Sequence, residues 1–114
     1  MENCLFCRVA NGTLSSRVLF ADEDVVAFHD IAPRAPVHVL VIPRRHIGSL
    51  DRAAQDDCDI LGRLLLAAAE VARRTGIAEG GYRVVTNTGS GAGQSVFHLH
   101  LHVLGGRHLS WPPG

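Results

Sequence analysis

The sequence has no excess of either charge: Lys plus Arg and Asp plus Glu both number 11, for a formal net charge of zero over 114 residues. Without a basic stripe the chain offers no track for a nucleic acid, and without an acidic run it offers no solvated tail. Any nucleotide it recognises must be held by a local site. Long apolar runs are missing too. The longest, Leu64 to Ala69, is far too short to span a bilayer, so no membrane contact is expected. No basic segment leads into an apolar run at Met1-Glu2-Asn3-Cys4-Leu5-Phe6-Cys7, which argues against a secretory signal. The cysteines number only three, an odd count that suits a reducing compartment better than a disulfide framework; a cytoplasmic location is expected. Repeats and low-complexity linkers are also absent, and a single domain over residues 1–114 is expected.

What is present is enough apolar material for a core, 46% of the residues. Leu5 to Asn11 reads as a short helix ended by Gly12. Arg17 to Ala21 and Val25 to His29 read as strands of a hairpin around Asp22-Glu23-Asp24. Pro33 and Pro36 mark an irregular loop, His38 to Ile42 a strand, and Pro43 its stop. From Gln55 to Thr75 the apolar period becomes helical, with Ile60, Leu61, Leu64, Leu65, Ala68, Val71 and Ala72 on one face. Asp56, Asp57 and Asp59 at its start and Arg73 and Arg74 at its end suit the helix dipole, and Gly76 suits a C-terminal stop. Strand character returns at Tyr82 to Thr86 and at Val96 to Leu104. One long helix among several strands favours an α+β fold, an antiparallel sheet backed by helices, over βαβ units.

The last strand carries the chemistry. Side chains alternate along a strand, so His98, His100 and His102 are expected on one face, with Phe97, Leu99, Leu101 and Val103 anchoring the other to the core. Upstream, Asn87 to Ser95 contains three glycines and two serines, a turn whose donors suit an anion. His38 supplies a further imidazole at the start of another strand. Neutral imidazole is a nucleophile at neutral pH, and a neighbouring imidazole can hand a proton to a leaving group. His-x-His spacing is equally how strands hold zinc or copper, and the glycine-rich segment alone reads as a hairpin turn.

His98-Leu99-His100-Leu101-His102 followed by Val103-Leu104 resembles the His-φ-His-φ-His-φ-φ signature of the histidine-triad (HIT) nucleotide-binding superfamily, φ being apolar. Ala27 to Pro33, Ala35 to His38, Val41 to Pro43, Gly93 to Val96 and Trp111-Pro112-Pro113-Gly114 resemble its HINT branch, so the likeness runs along nearly the whole chain. It implies a five-stranded antiparallel sheet with one long and one short helix, continued across a homodimer. It also implies hydrolysis of adenosine or guanosine 5′-phosphoramidates and related acyl-nucleotides. Carried over by position, His100 resembles the nucleophile, His102 and His38 its orienting and proton-handling partners, and Ser95 with the backbone at Gly93 and Gln94 the phosphate contacts. Asp30 resembles the ribose-binding carboxylate; Phe6, Val9, Leu14, Phe28, His29 and Ile31 resemble the base pocket, and Asn87 a phosphate- or ribose-side contact. The Trp111 tail is expected to reach the partner subunit's active site and influence leaving-group choice.

Cys4-Leu5-Phe6-Cys7 is a Cys-x-x-Cys, spaced to grip zinc, though ordinary thiols and a redox pair share that spacing. Many eukaryotic HINT members lack it; here the chain resembles bacterial relatives with structural zinc on two cysteines and two histidines, by position Cys4, Cys7, His46 and His98. Arg44 and Arg45 read as a solvated loop. Two other functions compete with phosphoramidate hydrolysis. One is a dinucleoside polyphosphate hydrolase, against which the Trp-Pro-Pro-Gly ending argues; the other is a nucleotide-binding interaction module with incidental catalysis.

Overall fold

In the computed structural model, which describes residues 3–114, helix boundaries follow local chemistry. Helix α1, Leu5–Ala10, begins where the Cys4 sulfur accepts the Cys7 N–H at 3.4 Å. Helix α2 runs Cys58–Thr75 behind a 3-10 turn at Gln55–Asp57, where the Asp57 carboxylate accepts the Ala54 N–H at 2.8 Å. It stops at Gly76, whose φ of 80° is cheap only for glycine.

Strands β1 (Val18–Ala21), β2 (Val25–His29), β3 (Val37–Pro43), β4 (Tyr82–Val85) and β5 (Leu101–Gly105) form one antiparallel sheet in the order β1-β2-β3-β5-β4. The five-stranded α+β fold expected from the resemblance is therefore present. Alternation divides its side chains between two cores. Val25, Ala27, Val39, Val41, Leu101 and Val103 meet Leu64, Ala68 and Val71 of α2. Val26, Phe28, Leu40 and Ile42 meet Phe6, Val9 and Ala10 of α1. Helix α1 is too short to cover its face, and the part it leaves open holds His38 and, opposite Leu40 in the ladder, His102.

Two expectations need correction. Strand β5 starts at Leu101, not at Val96. Beyond the Val41↔Leu101 pair the ladder loses β3 as a partner: Pro43 has no N–H, and its carbonyl accepts from the His98 ring at 2.8 Å. The segment leaves the sheet, and Leu99 N–H donates to Ile47 O at 2.6 Å instead. Phe97, placed on the core face by strict alternation, is consequently exposed, while Leu99 remains buried. Arg44 and Arg45 are likewise not merely solvated. Arg44 donates to the carbonyls of Asp22 and Ala10, tying the end of α1 to the β1–β2 turn, and Arg45 pairs with Asp57.

Candidate active site

Beside α1 the sheet opens into a cavity of about 540 Å³. Its lining takes in Phe6, Val9, Leu14, Phe28, His29, Asp30, Ile31, Ser95, His100 and His102, residues from four separate stretches of the sequence. Apolar side chains form one end, and Asp30, Ser95 and the imidazoles form the other. Leu5, Ser15, Ser16, Leu40 and Val96 also line it and were not anticipated. Leu40 was within reach of the period-2 rule, since it follows His38 by two on one strand. Gly93, Gln94 and Asn87 lie outside this lining. The Gln94 side chain is buried, accepting the Gly89 N–H at 2.8 Å and donating to the carbonyls of Gly48 and Val96 at 2.9 and 3.1 Å. It knits the glycine-rich turn together and so presents Ser95.

The hydrogen bonds assign a proton to each imidazole. His100 Nδ1 lies 2.7 Å from the His98 carbonyl, which can only accept, so Nδ1 carries the hydrogen and Nε2 keeps its lone pair. Nε2 has no protein partner among the described residues, and the ring borders the cavity. Phe6 packs edge-on against it, with ring centres 5.0 Å apart. An imidazole held in this tautomer can act as a nucleophile through Nε2.

His38 is arranged the other way. Arg34 N–H donates to His38 Nδ1 at 3.0 Å, so the proton of neutral His38 sits on Nε2. Nε2 faces His102 Nδ1 at 2.9 Å and Asp30 Oδ2 at 3.4 Å. His102 Nδ1 must accept, which leaves its own proton on Nε2, available to the cavity it lines. Burial, then the nearby His100 and His38, push His102 down to about 4, and burial also lowers His38. Both are neutral at pH 7, and their hydrogen bonds run one way, from Arg34 through His38 to His102. The same bonds argue against a metal on Asp30, His38 and His102, which otherwise cluster closely enough to suggest one. A metal ligand needs a lone pair, and His38 Nε2 has given its position to a proton.

Cys4, Cys7, His46 and His98 form a second cluster, all four ligand atoms lying within 4.8 Å of one another. His98 is fully buried and its Nε2 donates to Pro43 O, so its Nδ1 lone pair points at the sulfurs of Cys4 and Cys7, 3.4 and 3.5 Å away. His46 Nδ1 lies 3.3 Å from the Cys7 sulfur. A tetrahedral zinc with ordinary Zn–S and Zn–N bonds would set its N and S ligands about 3.6 Å apart. Burial, then the hydrogen bond and charge of Cys4, push the Cys7 thiol up to about 11, a cost that a bound dication reverses. Donor types, spacing and the backbone-oriented histidine all fit a metal ion.

The model of the HIT domain family matches residues 11–109. The chain belongs to the HIT domain family. Within that family it is 44% identical over 113 residues to an uncharacterized HIT-like protein of Synechococcus elongatus, covering 99% of this chain and 98% of that one. Among solved structures, a HIT family hydrolase from Legionella pneumophila shares 47% identity at a TM-score of 0.96, over 98% of this chain and 100% of the other. A histidine triad protein from Clostridium difficile shares 38% identity at a TM-score of 0.93, over 96% of each chain. The likeness to these relatives extends beyond the 11–109 range of the family model, over α1 and the C-terminal segment.

Proposed function

We infer that this HIT protein is a nucleotide hydrolase of the HINT type, which cleaves purine nucleoside 5′-phosphoramidates and related acyl-nucleotides through a nucleotidyl-His100 intermediate. The observation that carries this reading is the His100 ring, with Nδ1 bound to a carbonyl and Nε2 open to a cavity that holds a carboxylate, a serine and a second imidazole. The apolar end of the cavity suits a purine, Asp30 the ribose hydroxyls, and Ser95 a phosphoryl oxygen. His100 Nε2 attacks phosphorus, the P–N bond breaks, and its electron pair stays on the departing nitrogen. That nitrogen takes a proton through His102 Nε2. Water then attacks phosphorus, its proton returns to His102, and His100 leaves unmodified. The hydrolase name of the Legionella protein supports the reaction class. Release of AMP from adenosine 5′-phosphoramidate tests it; no release from a protein that binds AMP contradicts it.

Asp30 already accepts the Ala32 N–H through Oδ1 at 2.9 Å, which holds its carboxylate at the cavity. Asp30→Asn weakens AMP binding about tenfold, the worth of one charged hydrogen bond, and leaves 2′,3′-dideoxy-AMP unaffected. Equal losses for both nucleotides by calorimetry contradict the ribose assignment.

The metal is taken to be zinc, held by Cys4, Cys7, His46 and His98, and serving to clamp α1 to the loop after β3 and the segment before β5. No disulfide joins the three cysteines, in keeping with a cytoplasmic protein. A homodimer extends the sheet: β4 is an edge strand with Tyr82 and Val84 exposed on it. The tail beyond it is ordered by Arg83, which donates to the carbonyls of Leu109 and Ser110, and it leaves Trp111 exposed. Deleting residues 111–114 therefore changes leaving-group preference more than melting temperature. Identical kinetics across several leaving groups, or a monomer in sedimentation velocity, contradict a tail that serves the partner's site.

A further inference from the structure

The direction of the His38–His102 hydrogen bond is decided outside the cavity. His38 Nδ1 is an acceptor because Arg34 N–H donates to it. That N–H belongs to a loop in which Pro33 and Pro36 offer no N–H to fasten the chain. Contacts from the far end of β5 fasten it instead. Arg107 Nε and Nη2 both donate to the Arg34 carbonyl, at 3.1 and 2.9 Å, while Nη1 donates to His108 O at 3.0 Å. Next to it, Gly106 turns at φ 91° and lies so close to Pro36 that a Cβ there would sit 2.9 Å from the proline Cβ. The segment after β5 thus lies beside the start of β3 and grips the loop that leads to His38.

We propose that Arg107 is a positioning residue for the hydrolytic reaction, holding the Arg34 peptide so that His38 keeps its proton on Nε2 and His102 presents its own to the cavity. This role rests on the nucleotidyl-transfer reading above. Neither Arg107 nor Arg34 lines the cavity, so an effect on chemistry passes through His38 or, by way of the His108 carbonyl that Arg107 also holds, through the tail, and only the first route changes the imidazole tautomers. Once the Arg34 N–H swings away, only the Asp30 carboxylate, 3.4 Å from His38 Nε2, still favours a proton there, and Nδ1 becomes open to protonation. His38 Nε2 then becomes an acceptor, His102 turns its proton to Nδ1 to meet it, and a lone pair faces the leaving group. The same two protons occupy the same four nitrogens, but the pair points backwards.

Arg107 is exposed, so its replacement leaves the core intact. The test compares wild type, Arg107→Ala and Arg107→Lys in two ways. Nitrogen-15 spectra of the imidazoles in the free protein report the tautomers of His38 and His102. Steady-state kinetics compare an AMP–amine conjugate with an AMP aryl ester whose leaving group departs without a proton. In wild type both histidines carry hydrogen on Nε2 alone. In Arg107→Ala the tautomers mix, and kcat for the amine conjugate falls about tenfold, the worth of one hydrogen bond. KM stays within about twofold, the aryl ester is far less affected, and Arg107→Lys recovers part of the loss. Unchanged tautomers in Arg107→Ala, or equal losses for both leaving groups, overturn the role while leaving the hydrolase reading in place. A wild type that releases no AMP from the amine conjugate overturns the hydrolase reading and this role together.

Discussion

Replacing His100 with alanine lowers AMP release from a phosphoramidate by about 10⁴-fold or more, as removal of a nucleophile does elsewhere, while AMP still binds. The size follows from the way the cavity divides its tasks. His102 and His38 are bound to each other and hold their lone pairs away from the reaction, so neither can replace His100 as a nucleophile. Ser95 and Asp30 can still hold phosphate and ribose, which is why affinity survives. The substitution also removes the ring against which Phe6 packs, and some loss of melting temperature accompanies it. Calorimetry with AMP separates the two effects, because a collapsed pocket binds no nucleotide. Turnover near the wild-type rate in His100→Ala contradicts the assignment.

Cys7→Ser abolishes stoichiometric zinc and lowers the melting temperature by about 10 °C, equivalent to roughly 2 kcal/mol in a domain of this size. The metal would join α1, the loop after β3 and the segment before β5, three stretches that share few backbone hydrogen bonds. Its loss also reaches the nucleophile. His98 uses its ring for the cluster and its carbonyl for His100 Nδ1, so freeing the ring loosens the acceptor that fixes the His100 tautomer. Turnover falls about tenfold or more, in line with the loss of partners that orient catalytic or ligating groups. Metal analysis, thermal melting and kinetics on one preparation check all three effects. Protein purified under reducing conditions with no zinc and an unchanged melting temperature contradicts the structural role.

Much of this was legible because it depends on short-range rules. Alternation in β2 and β3, the helical period of α2 and the glycine stop at Gly76 placed both helices and four of the strands, but not the start of β5 or the 3-10 turns at Leu50–Arg52 and Ser90–Ala92. The His-x-His-x-His run led to the cavity that His100 and His102 line, even though half of it is not a strand. What alternation could not supply was the break at Pro43. Once that carbonyl is taken by His98, the segment 96–100 obeys contacts with the 44–49 loop, and Phe97 turns outward. Gln94 illustrates another limit. The resemblance marks its backbone for phosphate but says nothing of its side chain, a primary amide that satisfies several buried backbone groups at once. The partners that set the tautomers, Arg34 N–H and the His98 carbonyl, belong to the backbone. No residue type announces them, so the division of labour among the histidines appears only in three dimensions. Arg107 lies 73 residues from the carbonyl it holds and was unreadable for the same reason.

Hydrolysis through His100 requires a covalent bond between phosphorus and its Nε2. Rapid-quench mass spectrometry of the protein mixed with an AMP–lysine conjugate tests it directly. An adenylyl adduct on His100 forms and decays with AMP release and is absent from His100→Ala. AMP released by an active protein with the adduct on another residue contradicts that claim; AMP binding with neither release nor adduct would instead mark a nucleotide-binding module.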